Sequence, residues 1–302
     1  MKLALKIDVD TFRGTREGVP RLVELLKKYN AGATFLFSLG PDQTGRAIKR
    51  VFRPGFVKKV SRTSVLEHYG LKTLLYGTLL PAPNIGLSCA DTLRSVRDAG
   101  FEVGVHCWNH IAWQDKVGEA DAEWTEKQMR MAIDRFEKIF QEAPRVHGAA
   151  GWQMNRYAYR FTQRLGFEYA SDTRGSSPFI PMYKAEVIAC PQIPGNLPTL
   201  DELIGLGGIT KDNVAAHILG LTSEKPLHDP VFTLHAELEG MKLLPVFEQL
   251  LQGWQAQGYE LVSMRKLFES LNHKKLPHHD VTEGEIDGRS GKVALQGAPF
   301  LS

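Results

Sequence analysis

The chain has 302 residues, 43% of them hydrophobic, and a formal net charge of +3. That size suits one large α/β domain rather than two full ones, with enough apolar residues for a sizeable core. Three cysteines argue against a disulfide framework, the apolar start is too short for a secretory signal, and no run approaches the ~20 apolar residues of a membrane span, so a cytosolic address or the cytosolic face of a membrane is expected.

Residues 3–9 read as a buried strand ending at an acidic pair, Asp8 and Asp10. Val19, Leu22, Val23, Leu26 and Tyr29 have helical spacing, and Gly32 precedes a second strand over residues 33–39. Residues 41 to about 92 break this rhythm with a basic cluster, a leucine-rich stretch and Pro81-Ala82-Pro83, which predicts an insertion. The alternation resumes with a helix over 90–99, a strand over 101–106 and a helix over about 119–142. Val146 and His147 lead a strand into Gly148-Ala149-Ala150-Gly151, followed by a helix over 155–165. Residues 169–172 and 187–190 read as strand ends, 231–235 as a strand, 243–257 as a helix, 259–262 as the last strand and 264–271 as the last helix. The polar, glycine-containing residues 273–302 predict a mobile tail. Repeated β-then-α units predict a parallel sheet with helices outside, and the strand count of about seven or eight is close to that of a closed barrel.

The polar residues at these strand ends suggest chemistry. Asp8 and Asp10 are two apart, so an extended strand turns both carboxylates to one side; a turn in which Asp10 or Thr11 caps the next helix competes with that reading. His106 and His110, four apart, ligate one metal if the chain turns helically after the strand; a hydrogen-bonded core histidine is the alternative. One carboxylate and two imidazoles leave metal positions open for water and substrate, and suit Zn, Mn, Co, Ni or Fe. His235 ends an apolar strand, where burial requires a partner, and Asp172 is the carboxylate expected to orient it. His147 reads as a pocket or structural residue.

The order Asp8/Asp10, His106-Cys107-Trp108-Asn109-His110, Asp172 within Ala170-Ser171-Asp172-Thr173, and Phe232-Thr233-Leu234-His235 resembles the polysaccharide deacetylase family, the group with the NodB homology domain. The resemblance implies a distorted (β/α) barrel of about seven parallel strands over residues 1–272, interrupted by the insertion. It implies that Asp10, His106 and His110 hold one divalent metal, that Asp8 is the base activating water, and that His235 is the acid. Cys107 stands where the family has Ser or Thr, and Gly148-Ala149-Ala150-Gly151-Trp152 stands where it has Arg-Pro, leaving Arg174 or Arg145 as substitutes for the arginine. Residues 6–15, 104–110 and 148–153 are similar to the members that deformylate undecaprenyl phosphate-linked 4-deoxy-4-formamido-L-arabinose, a step toward lipid A modification and polymyxin resistance.

Arg46, Lys49, Arg50, Arg53, Lys58, Lys59 and Arg62 lie in a stretch without an acidic residue, leaving about −4 for the rest of the chain. Ile48, Val51, Phe52, Phe56, Val57 and Val60 interleave with them, as in a segment that rests on anionic headgroups or meets a substrate phosphate. The expected partners are therefore a polyprenyl-phosphate glycolipid and the anionic cytoplasmic face of a bacterial inner membrane, not nucleic acid. An N-deacetylase of another glycan, a soluble allantoinase-like amidase and a catalytically inactive lipid-binding protein are the competing readings.

Overall fold

Strand β1 (Lys2–Val9) sits at the centre of the computed structural model, which describes residues 1–47, 72–224 and 226–300. Residues Leu3, Ala4, Leu5, Ile7 and Val9 are fully buried, as in a parallel strand covered on both faces, and only Lys6 and Asp8 interrupt the apolar run. Strands β2 (Thr34–Ser38), β3 (Glu102–Cys107), β4 (Val146–His147) and β5 (Tyr169–Ala170) follow in the same sheet. The chain then leaves it for β6 (Ile180–Tyr183) and β7 (Glu186–Val187), returns for β8 (Val231–His235) and β9 (Glu260–Val262), and ends in β10 (His278–Gly284) and β11 (Val293–Pro299). The main sheet has seven strands in the order β5-β4-β3-β2-β1-β8, with β9 pairing the first residues of β1, and every pairing is parallel. The distorted (β/α) barrel of about seven parallel strands is thus what the chain builds.

The ring closes between β5 and β8 without a regular strand. Ile193 N donates to Ala170 O at 2.8 Å, Gly195 N to Thr173 O at 3.1 Å, and Leu197 N to Val231 O at 3.3 Å. Asn196 Oδ1 accepts from Val231 N at 2.7 Å. Alternation along β1 turns Ala4, Lys6 and Asp8 inward. Ala4, Leu36, Val146, Tyr169, Ile193 and Val231 form an apolar plug at the foot of the barrel, and the polar residues stand above it at the strand C-terminal ends.

Helices α1 (Val19–Lys28), α2 (Ala90–Asp98), α3 (His110–Lys116), α4 (Ala122–Phe140), α5 (Arg156–Arg164), α6 (Leu200–Leu203), α7 (Val214–Leu221), α8 (Leu244–Ala256) and α9 (Met264–Glu269) occupy the crossovers. On α4 the helically spaced Met129, Ala132, Phe136, Ile139 and Phe140 are buried and Ile133 is partly buried against the core. Helices α3, α6 and α7 carry too little periodic signal to have been expected. The insertion leaves and returns at one point, where Pro41 bridges Asn84 and Asp42 N donates to Pro83 O at 2.9 Å. Of its basic cluster, Lys49, Arg50, Arg53, Lys58, Lys59 and Arg62 lie outside the described residues. Among the described residues no helix is long and apolar enough to cross a membrane.

Two expectations are corrected. Residues 273–302 are not a loose tail: β10 and β11 form an antiparallel hairpin, and β10 adds in parallel to β6, giving a second sheet ordered β11-β10-β6-β7. Arg174 N donates to Ala294 O at 2.9 Å and Gln296 N to Arg174 O at 2.8 Å, while Val293 and Ala294 are buried. Residues 187–190 do not end a barrel strand; Glu186 and Val187 pair with β6 in this second sheet. A polar hairpin has no long apolar run to announce it, since only one side of each strand meets the protein. Deleting residues 277–302 is expected to lower the stability to urea by about 3 kcal/mol through lost burial and ladder pairing; an unchanged unfolding midpoint would be the behaviour of a free tail.

Candidate active site

Asp10 is the first residue beyond β1, and the chain turns there because Thr11 Oγ1 accepts from Gly14 N at 2.9 Å. Its carboxylate faces both expected histidines: Oδ1 lies 3.1 Å from His106 Nε2 and Oδ2 lies 3.2 Å from His110 Nε2. His106 belongs to β3, and His110 opens α3, whose cap is Asn109 Oδ1 accepting from Ala112 N at 2.9 Å. That abrupt strand-to-helix change stacks the two imidazoles with centroids 5.4 Å apart. The Gly148 carbonyl lies 2.7 Å from His106 Nδ1. A carbonyl only accepts, so Nδ1 carries the proton and Nε2 keeps its lone pair for the site.

Ligand atoms of Asp10, His106 and His110 all lie within 4.8 Å of one another. Asp10 Oδ1 and Asp8 Oδ1 are buried without a hydrogen-bond donor among the described residues. Oxygen-rich, donor-poor and equipped with two oriented imidazoles, the site fits a divalent cation. Burial raises the Asp10 pKa, but His110 and His106 outweigh it and hold the carboxyl well below its ordinary range.

Asp8 shares the inner face with Asp10. Its Oδ2 accepts from Lys6 Nζ at 3.1 Å, and its Oδ1 stands 3.8 Å from His106 Nδ1. Neither arginine suggested by the sequence reaches it. Arg174 is committed to Glu202, donating from Nη1 at 2.7 and 3.0 Å, and to the carbonyls of Gly195 and Leu197. Arg145 is exposed, 3.7 Å from Glu168. The cation beside Asp8 is Lys6, unremarked in the sequence although it interrupts an apolar strand two residues before the aspartate.

Asp172 does not orient His235. Its Oδ1 accepts from Ala149 N at 2.9 Å and lies 2.7 Å from His147 Nδ1, while Oδ2 accepts from Gln192 Nε2 at 3.1 Å. This buried cluster ties β4 to β5, which makes His147 structural. The carboxylate that faces the His235 ring is Asp201 of α6, with Oδ1 3.8 Å from His235 Nδ1. A capping box between Thr199 and Glu202 forms that helix turn, and Arg174 anchors Glu202. Asp201 was missed because it lies 34 residues before His235 on a helix of one turn. Burial lowers the His235 pKa, but Asp201 first, then Asp10, Glu239 and Asp8, raise it above the ordinary histidine value.

Two further buried acids follow His235. Burial, then the charge of Asp10, pushes the Glu237 carboxyl well up. Burial raises Glu239 to about 7, against the pull of His235, whose backbone N–H donates to Glu239 Oε2 at 2.7 Å. Cys107 points away to Ser38, with Sγ 3.3 Å from Oγ, and burial pushes its thiol up, so it acts as a packing residue. Of the proposed lipid-contact cations, Arg46 is described, and its Nε donates to Gly77 O at 3.0 Å.

A carboxylate and two imidazoles at a barrel mouth, flanked by a second carboxylate and by a histidine whose pKa its acidic neighbours raise, define a metal-dependent hydrolase. The family model for polysaccharide deacetylase matches residues 3–170, and the chain belongs to that family. It is 37% identical over 98% of its length, and 94% of the relative's, to a protein of Shewanella sediminis assigned as 4-deoxy-4-formamido-L-arabinose-phosphoundecaprenol deformylase ArnD. A protein of Wigglesworthia glossinidia brevipalpis with the same assignment is 32% identical over 94% of this chain and 98% of its own. Among solved structures, one from Mycobacterium smegmatis assigned to the polysaccharide deacetylases shares the fold at a TM-score of 0.62 and 17% identity, covering 94% of both chains. A family 4 acetyl xylan esterase from Clostridium thermocellum, solved with cobalt, gives 0.52 at 14% identity over 89% of this chain and 91% of its own.

His106→Ala is expected to lose bound metal and activity together, read by metal analysis of the purified protein. Because the His235 pKa is raised, its acid form persists above the ordinary histidine range and is lost as pH rises through that value. Asp201→Asn removes the largest raising cause, so the alkaline limb of the kcat profile should move to lower pH; a stationary limb would detach Asp201 from His235.

Proposed function

We propose that this chain is a metal-dependent amide hydrolase that removes the N-formyl group from undecaprenyl phosphate-linked 4-deoxy-4-formamido-L-arabinose. Formate leaves, and a 4-amino-4-deoxy-L-arabinose lipid remains for lipid A modification and polymyxin resistance. The observation that carries the chemistry is the placement of Asp8 and His235 around the Asp10–His106–His110 set. The near full-length likeness to the two assigned deformylases supports the substrate.

A divalent ion held by Asp10, His106 and His110 supplies polarisation of the amide carbonyl and a lowered pKa for water. Asp8 takes the proton of the attacking water on Oδ1, the oxygen that Lys6 leaves open. His235 holds its proton against the negative field of Asp201, Asp10, Glu239 and Asp8, and delivers it to the leaving nitrogen from Nε2, the ring nitrogen away from Asp201. Glu237 adds no negative charge beside Asp10 while it keeps its own proton.

The insertion docks the enzyme on the cytoplasmic face of the inner membrane, through Arg46, Lys49, Arg50, Arg53, Lys58, Lys59 and Arg62. Leu79 and Leu87 support this: they are 80% and 67% exposed, on either side of the point where the insertion returns to Pro41. Each cation near an anionic surface adds about 1 kcal/mol. Replacing these seven cations with Gln should abolish flotation with anionic liposomes; equal binding to neutral and anionic vesicles would refute the electrostatic part.

Metal-reconstituted protein is expected to release formate from the formamido-arabinose lipid faster than acetate from an acetamido analogue. Turnover of neither with metal bound would transfer the chemistry to another amide. Asp8→Asn should keep its metal and lose about 100-fold or more in kcat, the contribution of a general base.

A further inference from the structure

Lys6 is the one buried lysine among the described residues, and none of it reaches solvent. Its ammonium donates to Asp8 Oδ2 at 3.1 Å and lies 4.7 Å from the centroid of the Trp152 ring. Both neighbours are shaped to receive it. A Cβ on Gly148 would stand 2.3 Å from Leu36 Cδ1 and 3.1 Å from Lys6 Cε, so glycine lets the loop lie close against the lysine stem and its neighbour. Gly151 and Trp152 both adopt positive φ, +62° and +53°, the latter an uncommon conformation for a residue with a side chain. That turn brings the fully buried indole over the ammonium, and Arg174 and Arg289 hold the same ring, 4.9 and 4.6 Å from its centroid.

Stability does not account for this arrangement. Desolvating two charges is costly, and apolar residues of similar volume are often at least as stabilising as a buried ion pair. Such residues surround the position: Ala4, Leu36 and Val146 fill the barrel beneath it. What the pair does fix is direction. One oxygen of Asp8 is gripped, and the other is left without a donor 3.8 Å from the ring of His106.

We propose that Lys6 is a positioning residue for the hydrolytic step, holding Asp8 by Oδ2, with Trp152 as its brace, so that Oδ1 faces the water beside the metal ligands. The proposal deepens the reading of Asp8 as the base and rests on it. A carboxylate displaced by about 1 Å loses on the order of 100-fold in rate.

Lys6→Met is therefore expected to retain metal and thermal midpoint, to fall about 100-fold in kcat, and to keep KM within a few-fold. Lys6→Arg, which restores the cation, should recover most of that loss. Lys6→Met with kcat near wild type would overturn the proposal. So would activity lost only in step with bound metal or folded fraction, or a Lys6→Arg as slow as Lys6→Met. Asp8→Asn separates the two readings. Near-normal turnover there removes the base assignment itself, whereas an inert Asp8→Asn beside a fully active Lys6→Met removes only the role of Lys6.

Discussion

Three carboxyl groups crowd the mouth of one barrel, and their mutual repulsion is the constraint on which the site depends. Asp8, Asp10 and Glu237 are all largely withdrawn from water, where like charges are poorly screened. Each is settled differently. Asp8 is paired with the ammonium of Lys6, Asp10 faces two imidazoles, and the Glu237 carboxyl is pushed toward its neutral form by burial and by Asp10. A divalent ion held at Asp10 would answer the charge that the histidines, as neutral ligands, leave. The same field raises the His235 pKa. One distribution of charge thus provides a place for a cation, a carboxylate with a free oxygen and an acid.

The backbone makes this crowding possible because three strand ends deliver the groups to one mouth. Asp8 and Asp10 come from β1 and the residue after it, His106 from β3, His110 from the first residue of the α3 that follows, and His235 from β8. The register of β1 with β8 places Asp8 directly beside His235. Around the mouth, loops do the anchoring: the Gly148 carbonyl fixes His106, and the α6 capping box sets Asp201 near His235. The C-terminal hairpin belongs to this shell, since Arg289 reaches Glu202 at 3.4 Å and lies against Trp152.

Most of the fold was legible because a parallel barrel writes itself in alternating apolar strands and amphipathic helices. The candidate metal set was legible for a related reason: Asp10, His106 and His110 lie at or just beyond the ends of strongly patterned strands. What escaped detection depends on contacts between segments without local pattern. Asp172 and Asp201 are equally plausible partners for His235 by position, and only the segments after β5 and around α6 decide between them. Lys6 had a signal, a lone cation in an apolar strand two residues from Asp8, but its meaning required Gly148 and Trp152 from a distant loop. The hairpin was hidden by its polarity, since its strands find their partner in β6 rather than in a core of their own.

The most direct test is crystallography of the metal-reconstituted protein with anomalous scattering at the absorption edge of the ion. The account requires one peak, about 2.0–2.2 Å from an Asp10 oxygen, His106 Nε2 and His110 Nε2, with Asp8 outside the coordination sphere and still paired with Lys6. A peak that recruits Asp8 or Glu237 as a ligand, or one that bypasses His110, would contradict it.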